Sequence, residues 1–136
     1  MSPEGSTDKT AQLRSFFEGR SDVRLAYLFG SRAEGTARED SDYDVGVLPA
    51  EDADPGLRFE LIQELGELLG TEQVDVVMLD RAPHELAFCV IDRGEPVYAP
   101  DEELRVDFEA RVMSRYFDYL PVLRRQRRDI IEEAIS

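Results

Sequence analysis

Two apolar runs separated by a short polar stretch restrict the folds open to this chain. Val23-Arg24-Leu25-Ala26-Tyr27-Leu28-Phe29 is mostly apolar and stops at Gly30, and Tyr43-Asp44-Val45-Gly46-Val47-Leu48 is a second such run. Both have the length and composition of strands. Between them Ser31 to Ala37 reads as a short helix whose N-terminus faces back toward Gly30, and Arg38-Glu39-Asp40-Ser41 reads as a polar return. Gly30-Ser31 is therefore followed, after ten residues, by Asp42-Tyr43-Asp44 at the head of the second strand.

That combination points to a chemistry. A tight glycine turn presents backbone amides and the Ser31 hydroxyl to phosphate oxygens, while two acids separated by one residue project from the same face of a strand. Carboxylates are hard ligands suited to Mg²⁺, which takes one or two of them and completes its octahedron with water and substrate phosphates. Two such ions clamp the attacking and leaving oxygens of an in-line displacement. Gly-Ser and Asp-x-Asp are each common alone; together, at this spacing and between two strands, they fit magnesium-assisted nucleotide transfer.

At these residues the sequence resembles the nucleotidyltransferase superfamily related to DNA polymerase beta, with its Gly-Ser, spacer and Asp-x-Asp. The segment Leu28-Phe29-Gly30-Ser31-Arg32-Ala33-Glu34-Gly35, the short chain and the C-terminal helical region are similar to the minimal nucleotidyltransferase antitoxins that accompany HEPN-domain ribonuclease toxins. The resemblance runs from about Leu13 to Glu132, its specific part being Gly30 to Asp44. It implies that Asp42 and Asp44 bind metal, and that Asp75, in Gln73-Val74-Asp75-Val76-Val77-Met78-Leu79, is a third carboxylate that shares a metal ion and orients or deprotonates the acceptor hydroxyl. Asp80 competes for that role but reads as a strand end or helix cap. Glu34 stands where many relatives carry a basic residue, so Arg32 or Arg38 has to supply positive charge beside the phosphates that the Gly30 and Ser31 amides and the Ser31 hydroxyl would contact. The implied activity is transfer of AMP from ATP to a tyrosine of the cognate toxin, silencing a ribonuclease. Template-using polymerases carry additional domains to hold nucleic acid, which agrees with an external protein acceptor. A small-molecule nucleotidyltransferase of the aminoglycoside-inactivating kind and a non-catalytic module that masks a toxin by contact are the alternatives.

Composition agrees with a single soluble domain. The 136 residues, 42% of them apolar, are enough for one modest core, and residues 1–136 read as one nucleotidyltransferase domain with a C-terminal helical region at about 101–134. No run approaches the roughly 18 apolar residues of a membrane helix, and Met1 to Lys9 is too polar for a signal peptide, so a cytoplasmic protein is expected. Cys89, the only cysteine, excludes an internal disulfide and reads as a core filler. A net charge of −14 argues against general binding to DNA or RNA and suits a basic partner or a high-salt surface.

The remaining pattern is α/β. Thr7 reads as the cap of a first helix to about Gly19, with Leu13, Phe16 and Phe17 inward. Pro55-Gly56 opens a second, with Leu57, Leu61, Leu65, Leu68 and Leu69, ending near Gly70; Pro83 opens a third, stopped at Arg93-Gly94. Pro96 to Ala99 reads as an edge strand, and Asp101 as the cap of a long helix bent at Pro121. The expected fold is a small mixed sheet with helices on one face and the acids at an open edge. Phe108, Val112, Tyr116, Tyr119, Leu120 and Leu123 recur at helical spacing and should cover the sheet. Arg124-Arg125-Gln126-Arg127-Arg128 breaks the acidic trend. It is either a solvated helix end or, with Tyr116, Phe117 and Tyr119, a partner contact centred on Tyr116, Tyr119, Arg124 and Arg128. His84, the lone histidine, has no carboxylate at ligand spacing and is given no catalytic role, and Tyr43 should point away from its acidic neighbours.

Overall fold

The computed structural model describes residues 6–30 and 42–135. In chain order these hold α1 (Ser6–Glu18), β1 (Val23–Phe29), β2 (Tyr43–Pro49), α2 (Leu57–Leu69), β3 (Val74–Met78), α3 (His84–Arg93), β4 (Glu95–Tyr98) and α4 (Glu102–Ile135). The proposed helix from Ser31 and the polar return lie outside the described residues. The strands form one mixed sheet in the order β3-β2-β1-β4. β1 runs antiparallel to both β2 and β4, whereas β2 and β3 are parallel and are joined by the crossover through α2.

Helices cover both faces of this sheet, not the single face expected. The reason is in β1 and β2 themselves. Ala26, Leu28, Val45 and Val47 pack with Leu13 and Phe17 of α1 and with Leu57, Leu61 and Leu65 of α2. Leu25, Tyr27 and Leu48 point the other way and pack with Ala87 and Val90 of α3 and Phe108 and Val112 of α4. Strands that are apolar at successive positions need a cover on each side. Gly46 permits the close approach of α3: a β-carbon there would stand 2.9 Å from Val90 Cγ1.

Local signals set most boundaries. Among the described residues α1 runs from Ser6 to Glu18, which puts Thr7 within the helix and not ahead of it. α2 ends at Gly70, whose φ of 69° is the left-handed conformation that closes a helix. Asp101 Oδ1 accepts from the Leu104 amide at 3.1 Å, the expected cap of α4, and that helix continues through Pro121 as one element. Asp80 lies in the turn after β3, but α3 starts behind Pro83 without a side-chain cap, so Asp80 is a strand-end residue and not a cap. Cys89 is a correction: it is exposed, because α3 turns Ala87 and Val90 inward and Cys89 falls on the outer side.

Polar ties join the layers. In the turn before β1, Arg20 donates to Asp22 at 3.1 Å, to Glu64 at 2.9 Å and to Glu60 at 2.6 Å, linking that turn to α2. On the other face the buried Tyr27 hydroxyl donates to Glu109 at 2.7 Å, and Arg105 donates to the same carboxylate at 3.0 Å.

Candidate active site

The sheet register assembles the acids. Asp44 of β2 is the partner of Phe29 on one side and of Asp75 on the other. Partners in adjacent strands share a face, so the two carboxylates stand side by side although 30 intervening residues include a whole helix. Tyr43 points to the opposite face and is buried against α1 and α2, as expected. Asp42, just before β2, and Asp75 are exposed, whereas Asp44 is half-buried.

Gly30 closes the other side. It has a φ of 77°, and a β-carbon there would overlap Asp44 Oδ2 and lie 3.3 Å from its Cγ. The missing side chain therefore makes the room that the Asp44 carboxylate occupies. Burial pushes the Asp44 carboxyl above the usual carboxylate range, and the negative charges of Asp42 and then Asp75 push it further. Of the sequence-derived site residues, the structure brings together Gly30, Asp42, Asp44 and Asp75. Ser31, Arg32 and Arg38 lie outside the described residues.

Three carboxylates close enough for the charges of Asp42 and Asp75 to act on Asp44 suit a hard divalent ion, which Asp42 and Asp44 would hold. Among the described residues no three His, Cys, Asp or Glu side chains are grouped so that they hold a metal ion as they stand. One oxygen of Asp75 is engaged: Arg58, in the first turn of α2, donates from Nη2 to Asp75 Oδ1 at 3.0 Å and from Nε to the Val76 carbonyl at 2.8 Å. Sequence reasoning passed over Arg58. Its only signal was a basic residue opening the crossover helix, and only folding brings it to β3.

The residues read as a partner contact divide. Tyr116 is half-buried and stacks on Phe88 with ring centroids 4.1 Å apart, and Tyr119 packs near His84 at 5.7 Å, so both are engaged with α3. Arg124 and Arg128 are exposed. On the outer side of α4, Val106, Met113 and Phe117 are 52%, 39% and 55% exposed, Phe117 also meeting Phe88 edge-on at 5.9 Å. With Ala110 and Pro121 they form one row at helical spacing that runs into Arg124 and Arg128. None of the helices among the described residues is long and apolar enough to cross a membrane.

Residues 11–103 match the polymerase beta nucleotidyltransferase family. The protein adenylyltransferase MntA of Shewanella oneidensis is 34% identical over 116 residues, covering 84% of this chain and 78% of that protein. A toxin–antitoxin crystal structure with AMP-PNP contains a chain that superposes with a TM-score of 0.74 at 28% identity, covering 93% of this chain and 98% of that one. A structure of the tri-AMPylated Shewanella oneidensis HEPN toxin in complex with its MNT antitoxin gives a TM-score of 0.70 at 25% identity, covering 97% and 100%. With the glycine turn, the paired acids and these likenesses in hand, the chain belongs to the polymerase beta nucleotidyltransferases, in the branch of the MntA-type antitoxins.

Proposed function

We infer that this chain is an adenylyltransferase antitoxin, which transfers AMP from ATP to a hydroxyl, expected to be a tyrosine, of a cognate HEPN-type toxin and so neutralises it. The observation that carries the reading is the Gly30–Asp44–Asp75 row, a glycine turn pressed against one acid whose register partner is another. Support also comes from the relative named as a protein adenylyltransferase and from the AMP-PNP-bound and AMPylated complexes.

In this reading Gly30 and Ser31 cradle the phosphates, and Arg32 and Arg38 supply positive charge beside them. Asp42 and Asp44 hold Mg²⁺, expected as two ions, with Asp75 as the third carboxylate. Bound magnesium supplies the charge that offsets the triphosphate. The acceptor oxygen attacks the α-phosphorus, the bond to the β-phosphate oxygen breaks, and AMP is left as an ester while pyrophosphate departs. Asp75 orients the hydroxyl and takes up its proton.

The partner face is the outer row of α4, with Met113 and Phe117 as apolar anchors and Arg124 and Arg128 beyond them. Tyr116 and Tyr119 act behind it by fixing α4 to α3. A helix that is apolar on opposite sides has one side for its own sheet and another for a partner.

The experiment incubates the chain with ATP, Mg²⁺ and the toxin and reads toxin mass and ribonuclease activity. Added adenylyl groups that disappear with Asp42→Asn, together with lost neutralisation, are expected. Full neutralisation by Asp42→Asn without any mass change would replace enzymatic silencing by steric masking.

A further inference from the structure

We propose that Arg58 is the positioning residue of Asp75, holding one carboxylate oxygen so that the other is presented to the metal ion and the acceptor hydroxyl. This rests on the reading of Asp75 as the third acid. The grip has two points: Nε donates to the Val76 carbonyl at 2.8 Å and Nη2 to Asp75 Oδ1 at 3.0 Å. A planar guanidinium fixed by a backbone carbonyl has little freedom left, so the carboxylate beside it takes one orientation. Leu57, just before Arg58, and Leu61 after it are fully packed in the core, which anchors the base of the arginine. Arg58 and Asp75 also stand together in the wall of a groove of about 480 Å³ along β3.

Stability does not account for the pair. The two side chains are 42% and 54% exposed, and ion pairs this open to water contribute little to folding. What the contact does fix is the direction of a group on β3, which is an edge strand among the described residues.

The test compares Arg58→Met, Arg58→Gln, Arg58→Lys, Asp75→Asn and the Asp75→Asn/Arg58→Met pair, using the full chain and its toxin. Arg58→Met and Arg58→Gln should each lower kcat by about 10- to 100-fold, the range for losing a group that orients a ligand, with KM for ATP within about twofold. Mn²⁺ affinity of the AMP-PNP-loaded protein, read by electron paramagnetic resonance, should fall by about tenfold or more in the same variants. Arg58→Lys should recover only part, since one ammonium cannot hold both oxygens in the same geometry. In the Asp75→Asn background, where transfer is lost, Arg58→Met should lower Mn²⁺ affinity no further. Unchanged kcat and Mn²⁺ affinity in the Met and Gln variants, with Asp75→Asn inactive, would overturn the clamp alone; multiplying effects in the double variant would do the same. An active Asp75→Asn would instead overturn the role of Asp75, and the clamp with it.

Discussion

Gly30 and Asp44 share a space that only one of them can fill. A β-carbon on Gly30 would overlap Asp44 Oδ2, and the backbone there already sits at a φ of 77°. Gly30→Ala should therefore cost about 1–2 kcal/mol of stability for the left-handed backbone, and it should also displace the carboxylate. AMP transfer should fall far more than the stability loss explains. Gly30→Val should weaken calorimetric binding of AMP-PNP more than Ser31→Ala does; equal affinity of Gly30→Val and wild type would remove the phosphate turn from this position.

Asp44 should work against folding. Its carboxyl is held above the unfolded value, so the folded state binds that proton more tightly than the unfolded state does. The associated stability is present below the unfolded pKa and is lost as pH rises through the folded pKa, leaving a repelled carboxylate at neutral pH. Asp44→Asn should raise the melting temperature at pH 7 by about 1–2 °C, allowing for solvent screening, and abolish transfer. The gap should close in acid, where Asp44 carries a proton in wild type. A melting temperature lowered by the asparagine at pH 7 would contradict the crowding.

Tyr27→Phe tests how α4 is held on the sheet. The hydroxyl donates to Glu109, which Arg105 also engages, so the phenylalanine leaves the carboxylate with one partner. Chemical denaturation should register a loss of about 1–2 kcal/mol, with toxin AMPylation unchanged. A neutral substitution would mean that water replaces the phenol.

Arg20→Met should leave Asp22, Glu60 and Glu64 facing one another. The arginine is only 16% exposed, which makes this network stronger than an isolated surface pair. Urea unfolding should show a loss of about 1–2 kcal/mol, smaller in high salt where the carboxylates are screened.

On α4, Phe117→Asp combined with Met113→Asp should weaken toxin binding by more than tenfold, as expected for a central apolar anchor. Arg124→Glu with Arg128→Glu should act mainly on the association rate and on its salt dependence. Surface plasmon resonance separates the two. Asp42→Asn should bind as wild type does, and unimpaired binding by the Met113/Phe117 pair would place the toxin elsewhere.

The motif from Gly30 to Asp44 and the apolar runs around it were legible because they are local: a strand, a turn requiring glycine and an alternating pair of acids are each written within a few residues. Asp75 was legible only through the family resemblance, since its place beside Asp44 is a matter of parallel register across a crossover. Three things depended on tertiary structure. Arg58 meets Asp75 because α2 lies along β3, a contact across 17 positions of the chain. The second layer of helices follows from which side of each strand a side chain occupies, and apolar periodicity does not say what covers it. Likewise Cys89, Tyr116 and Phe117 are all in helices with apolar neighbours, yet only the packing of α3 against α4 decided that Tyr116 turns inward while Cys89 and Phe117 face solvent. Propensity is a property of the segment, whereas orientation is set by the partner the segment packs against.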